Sequence, residues 1–196
     1  MSIPSIRSAE IGEEAHVIAL MTLSFAAEPF VRWLFPDPDT YLAAMPKATS
    51  AFGVNAFAAG TVDVVGDGAG AAIWLPPGVE ADSECLEATF ADYVAEEKAS
   101  TLASVADQME HAHPPEPHWY LPMIGIDPVA QSRGLGTALM RHALSRSDAA
   151  GVSAYLELSN RRNMSFYERL GFETIRVIRV GSCPEVMAMV RRPRRV

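Results

Sequence analysis

Between an apolar, β-rich run that closes at Asp127-Pro128 and a helical stretch that opens near Leu135 lies Gln131-Ser132-Arg133-Gly134-Leu135-Gly136-Thr137. Strand, glycine turn and helix in that order constrain this chain more than any other feature. Glycines free the backbone to turn several N–H groups toward one point. The start of the helix adds unpaired N–H groups and the positive end of its dipole. Together they make an anion site suited to a diphosphate, and Arg133 adds a fixed charge. A plain glycine turn before a helix is the simplest reading of a lone GxG. A Walker phosphate loop is not met, because Thr137 and Ala138 follow Gly136 where that loop needs Lys and Ser/Thr. A dinucleotide-binding turn gains from Glu157, which stands near the spacing of a ribose-binding acid. It loses on Leu139, which occupies the place of the third glycine, and on the long approach from Asp127 to Arg133.

Strands and helices alternate along the rest of the chain. Residues 3–7 read as a short strand and 9–24 as a helix, with Ile11, Ala15, Ile18 and Ala19 at helical spacing. Pro29, Pro36 and Pro38 are expected to limit residues 28–41 to a short helix and a turn, before a helix over 41–59. Residues 61–65 and 70–75 form two strands about the Gly66-Asp67-Gly68 turn, and 82–113 is helical in two pieces. Strands follow over 118–126, 153–158, 172–180 and 185–190. Helices over 135–150 and 160–170 end at Gly151 and Gly171, as helix ends prefer. No repeat or linker interrupts the 196 residues, so one domain spanning 1–196 is expected.

The net charge of −8 argues against nucleic acid as a partner, since phosphate contacts need a basic face. The tail Arg191-Arg192-Pro193-Arg194-Arg195 is the local exception and reads as a solvated end. Cys85 and Cys183 stand far apart without metal-ligand spacing and read as reduced packing residues. His111 and His113 lack further ligands at suitable spacing, so they read as loop residues and no metal is expected. No apolar run is long enough for a membrane span and no signal-peptide pattern opens the chain, so a cytoplasmic location and no membrane partner are the expectation.

Two segments together carry a resemblance. Gln131-Ser132-Arg133-Gly134-Leu135-Gly136 is similar to the Q/R-x-x-G-x-G/A signature of the GNAT N-acetyltransferases. Residues 160–172, NRRNMSFYERLGF, resemble that superfamily's second signature of Asn, short helix, Tyr and Gly-Phe. The patches Ala71-Ala72-Ile73-Trp74, Pro117-His118-Trp119-Tyr120, Gly125-Ile126 and Leu156-Glu157, with Asn163 and 166–172, extend the likeness to the branch that holds puromycin N-acetyltransferase. The N-terminal third matches only loosely.

The resemblance implies the GNAT α/β fold, a mixed sheet of about seven strands splayed between the fourth and fifth. Acetyl-CoA would enter the splay as acetyl donor, its pantetheine arm pairing with Met123, Ile124, Gly125 and Ile126. Its pyrophosphate would rest on Gln131, Ser132, Arg133, Gly134, Leu135, Gly136 and Thr137. Tyr167 is carried over as the acid that protonates the departing thiolate, with Asn160 or Asn163 bonding the cofactor. Glu157 interrupts the apolar strand Ala154-Tyr155-Leu156-Glu157-Leu158, and a buried carboxylate is costly without a role or partner. It is either the general base or one half of an ion pair, with Arg162 the candidate partner. Phe25, Glu28, Phe30, Trp33, Trp74 and Tyr120 are candidates for the acceptor pocket, the aromatic rings suiting a planar or cationic group. The implied activity is acetyl transfer to a primary amine of a small molecule. The alternatives are a silent CoA-binding module and a protein N-terminal or lysine acetyltransferase. A homodimer is compatible with all three.

Overall fold

In the computed structural model, which describes residues 5–194, seven strands form one sheet. They are β1 (Ile6–Ser8), β2 (Val62–Val65), β3 (Gly70–Leu75), β4 (His118–Ile126), β5 (Ser153–Leu158), β6 (Glu173–Ile178) and β7 (Val186–Arg191). The order is β1-β2-β3-β4-β5-β7-β6, with β4 and β5 parallel and every other pair antiparallel. The helices are α1 (Glu14–Ser24), α2 (Pro29–Leu34), α3 (Pro38–Ala58), α4 (Ser83–Tyr93), α5 (Glu96–Glu110), α6 (Leu135–Ala149) and α7 (Met164–Arg169). Ile3 of the expected first strand lies outside the described residues, as does Arg195 of the basic tail. No helix among the described residues is long and apolar enough to cross a membrane.

Alternation along β3 divides the core. Ala71 and Ile73 face one layer with Val17, Met21, Tyr41 and Met45 from α1 and α3. Ala72 and Trp74 face the other, with Met140, Ala143 and Leu144 of α6. Each layer buries one side of the sheet, the arrangement expected of a sheet whose strands are apolar on both faces.

The short helix and turn expected over 28–41 are there as α2 and the residues after it, but Pro29 and Pro38 do not interrupt a helix; each starts one, and α3 begins at 38 rather than 41. Each occupies the first turn, where its missing N–H costs nothing. Glu28 accepts from Val31 N at 2.9 Å and Asp37 from Thr40 N at 3.0 Å, capping the two helices. Nor is the basic tail solvated throughout. Arg191 closes β7 at 4 % exposure, forks onto Asp148 at 2.7 and 2.7 Å, and donates from Nε to Leu170 O at 3.0 Å.

The sheet parts in its middle. His118–Leu121 pair with Ser153–Leu156, and beyond those residues β4 and β5 share no ladder although both strands continue. Pro122 explains where the parting begins. It supplies no N–H and sits in an irregularity of the β3–β4 register, where Ile73 faces Met123 but Leu75 faces Tyr120. The extra residue bends β4 away from β5, as bulges do. It also shifts the side-chain alternation, so that Leu121 and Ile124 share one face while Tyr120 and Met123 share the other.

Candidate active site

A cavity of about 640 Å³ opens where β4 and β5 diverge. Its walls include Leu121–Ile124 of β4, Leu156–Leu158 of β5, Ser159, Asn160 and Asn163, and the N-terminal end of α2. Backbone polarity within β4 follows from one hydrogen bond. Asp127 N–H donates to Ala69 O at 2.9 Å, and antiparallel alternation then assigns the bonded pairs to Gly125–Ala71 and Met123–Ile73. The backbone groups of Ile124 and Ile126 therefore turn toward the gap. Those of Met123 and Gly125 turn to β3, which corrects the expectation that they meet a ligand. Met123 contributes its side chain to the cavity wall instead.

Gly134, with φ of 80°, is the N-cap of α6 and offers no side chain to its first N–H groups. Ser132 adopts φ of 61°, the sole non-glycine with positive φ among the described residues, a strained state that clusters at functional loops. Gln131 donates from Nε2 to Ile126 O at 3.3 Å and lines the cavity. Arg133 is exposed and donates to Val129 O at 3.0 Å, folding back over its own turn. Leu135, Gly136 and Thr137 form the first turn of the helix, whose N–H groups are free to meet an anion. The two glycines differ. A Cβ at Gly136 would meet Phe166 Cζ at 3.6 Å, an ordinary contact, whereas Gly134 needs its left-handed backbone. Gly134→Ala is expected to cost about 1–2 kcal/mol and Gly136→Ala to fall within about 0.5 kcal/mol of neutral, read from urea-unfolding midpoints. Equal losses at both positions would contradict this.

Glu157 has no arginine partner among the described residues, so the ion pair with Arg162 is not formed. Its side chain, 6 % exposed, accepts from Tyr120 Oη at 2.6 Å and Tyr155 Oη at 3.0 Å, with His113 Nε2 3.4 Å away. Burial, and after it the Glu157 charge, pushes both phenols well above the usual tyrosine range, so they stay protonated donors. His113 is thus no idle loop residue: it packs against Tyr155 with ring centroids 4.2 Å apart. Position alone gave no sign of this, because the loop 111–117 folds back over β4 and β5.

Tyr167 is 7 % exposed and lines the same cavity, and among the described residues its hydroxyl makes no hydrogen bond. Burial, with the charge of Glu28 second, pushes its pKa up, so the proton is held until a base stronger than water arrives. Glu28 and Ser159 sit beside it. The Ser159 hydroxyl donates to Glu28 Oε1, and Phe30 N–H donates to Ser159 Oγ at 3.2 Å. Asn160 Oδ1 accepts from Arg162 N at 3.2 Å as a cap, while the side chain of Asn163 makes no hydrogen bond among the described residues; both line the cavity.

Of the acceptor candidates, Phe25, Glu28, Phe30 and Tyr120 line the cavity and Trp33 and Trp74 do not. Trp74 is fully buried on the opposite face, edge-on to Trp119 at 6.2 Å, because alternation along β3 sends it toward α6. Trp33 stacks on Phe30 at 6.0 Å and donates to Ser182 Oγ at 3.2 Å, one layer behind the wall. The inner wall comes from residues the sequence did not single out. Phe35, Met45, Phe52, Leu86, Phe90 and Leu102 extend the cavity as an apolar lobe under α2 to α5.

A sheet parted in the middle beside a glycine-capped helix is an acyl-CoA acyltransferase architecture. The model of the acetyltransferase (GNAT) family matches residues 73–172, and the chain belongs to that family. Solved structures agree on the fold across the whole length. The histone acetyltransferase HPA2 and related acetyltransferase from Corynebacterium glutamicum is 25% identical, with TM-score 0.72, 100% of this chain and 99% of that one covered. The polyamine N-acetyltransferase of Drosophila melanogaster, which forms N-acetylagmatine, is 17% identical with TM-score 0.64, covering 96% and 99%. Arylalkylamine N-acetyltransferase 2 from Aedes aegypti is 11% identical with TM-score 0.67, covering 98% and 100%.

Proposed function

We propose that this chain transfers acetyl from acetyl-CoA to the primary amine of a small molecule with an apolar body, by direct attack in a ternary complex. One observation carries the reading: a buried carboxylate and a buried, unbonded phenol, Glu157 and Tyr167, border one cavity that opens at the parted strands. Acetyl-CoA fits what the residues offer. Outward-turned backbone of Ile124 and Ile126 suits an amide-bearing arm, and the uncapped first turn of α6 suits a diphosphate.

Glu157 takes a proton from the acceptor ammonium, its carboxylate oriented by the two phenols that donate to it. Tyr167 gives its proton to the departing sulfur and is reprotonated by the second proton that the attacking nitrogen loses as it becomes an amide. A phenol raised by burial above the usual ~10 is a weak donor toward a thiol of ~8.5, so nearness rather than driving force sets its use. The apolar lobe favours an acceptor with a bulky hydrocarbon or aromatic part. Glu28, Glu110 and Glu157 line the cavity and suit the cationic end of an amine, while the lobe's inner wall of phenylalanine, leucine and methionine suits the hydrocarbon part.

Thiol release in the presence of an amine panel, including puromycin, phenylethylamines and agmatine, tests this directly. Binding of acetyl-CoA without turnover on any amine would instead favour a silent CoA-binding module. Tyr167→Phe is expected to lower kcat by about 10²-fold with acetyl-CoA affinity unchanged. An unaltered kcat would remove the tyrosine from the proton transfer.

A further inference from the structure

Glu157 lies behind three rings, and a base that takes a proton each turnover must also lose it. Hydrogen-bond roles near Glu157 can be assigned from the outer end. A carbonyl only accepts, so His118 Nδ1, 2.9 Å from Glu116 O, carries a hydrogen. A neutral His118 then presents a lone pair at Nε2, and His113 Nδ1, 3.0 Å away, must donate to it. That leaves the Nε2 lone pair of a neutral His113 3.4 Å from Glu157 Oε1. Lone pair against carboxylate repels. Reversing the His113 tautomer only moves the conflict to His118. A proton arriving at Nε2 from Glu157 resolves it, turning the contact into an ion pair.

His113 also borders two cavities, the one at the parted strands and an outer one walled by Pro114, Pro115, Pro117 and Arg192. The prolines fix the short loop that joins the two histidines, so their rings are held rather than tethered loosely. Other ionisable groups facing the pair are few. Tyr120 and Tyr155 donate to Glu157 from β4 and β5, Glu110 of α5 lines the inner cavity, and Arg176 of β6 acts on Tyr155. Arg192 stands on the outer side, and Glu116 contributes its carbonyl.

We propose that His113 and His118 are the proton outlet of Glu157, positioning and discharging the base without touching substrate. The inference rests on the acetyltransferase reading above. An ammonium N–H bond breaks as a Glu157 O–H bond forms; that bond breaks as N–H forms at His113 Nε2. A proton passes from His113 Nδ1 to His118 Nε2, and His118 Nδ1, whose bond to Glu116 O is exposed, yields a proton to solvent; exchange with solvent restores the starting tautomers. Nothing is oxidised or reduced, and one proton moves from amine to solvent per turnover.

Nitrogen-15 NMR of the histidine rings across a pH titration tests the coupling without any substrate. Glu157→Gln is expected to move the His113 midpoint to lower pH, because the variant removes the charge 3.4 Å from Nε2. A midpoint unmoved by Glu157→Gln would overturn the proposal. Kinetically, His113→Ala should lower kcat about 10-fold or more at constant acetyl-CoA KM, with imidazole in the buffer restoring part of the loss. Unchanged kcat, or a loss that imidazole leaves untouched in a variant whose circular dichroism matches wild type, would also overturn it. If wild type releases no thiol with any amine, the acetyltransferase reading fails and the outlet with it. If turnover is intact and the NMR coupling is missing, the outlet alone fails.

Discussion

Replacing Glu157 by glutamine is expected to lower kcat at pH 7 by about 10²–10⁴-fold and to leave the KM for acetyl-CoA unchanged. Glutamine keeps the size of the side chain and one carbonyl oxygen to accept from Tyr120 or Tyr155, so the packing of β4 against β5 survives. What it loses is charge. An aliphatic amine of pKa near ~10 is neutral at pH 7 in a fraction on the order of 0.1 %. Without a base inside the cavity, turnover must draw on that fraction. The deficit should therefore narrow as pH rises toward the pKa of the amine itself. A pH series of kcat for wild type and Glu157→Gln on one amine decides the matter. Parallel curves would mean the carboxylate serves only to hold the two tyrosines.

The same residue shows how far the chain could be read before its fold was known. Glu157 stood out as a charge inside an apolar strand, and that anomaly marked the site. Its partners did not. Tyr120 and Tyr155 look like ordinary strand residues, and His113 belongs to a loop whose path depends on where α5 ends and β4 begins. Long-range closure of this kind leaves no local periodicity. By contrast, the glycine turn at Gly134 and the Asn–Tyr–Gly-Phe segment were legible because they are local: cap, helix and turn within a few residues. Pro122 was a signal available in the sequence and passed over. A proline inside a nine-residue apolar run argues for a bulge or an edge, and here it marks where the sheet opens. Pro29 and Pro38 bound the expected short helix and turn and mark the starts of α2 and α3. Each follows a capping acid, Glu28 or Asp37, and that pairing announces a helix start rather than a break. Trp74 failed as a pocket residue because the strand period decides its face, and one residue of register sends it to the other core.

Asp148→Ala is expected to destabilise the fold by about 3–5 kcal/mol, the cost of leaving a buried guanidinium without its anion. Arg191 makes two bonds of 2.7 Å to Asp148, and backbone N–H of Arg194 donates to the same carboxylate at 2.7 Å. With Asp148 gone, Arg191 at 4 % exposure has only the Leu170 carbonyl left among the described residues. The pH dependence has a definite sign. Hydrogen bonding and charge from Arg191 hold the Asp148 carboxyl below the usual range. Its contribution is therefore complete above the unfolded value of ~3.9 and is lost as pH falls through the lower folded value. Urea midpoints for wild type should drop across that acid interval, and the variant, already without the pair, should show a shallower fall. The damage reaches the site through geometry. Leu170 follows α7, which carries Tyr167, and Arg191 ties that helix end to β7. Asp148→Ala is accordingly expected to reduce kcat even at temperatures where the variant is fully folded, while Asp148→Asn, which keeps the shape, should lose less of both. Equal urea midpoints for wild type and Asp148→Ala at pH 7 would show that the fork onto Arg191 contributes nothing to folding.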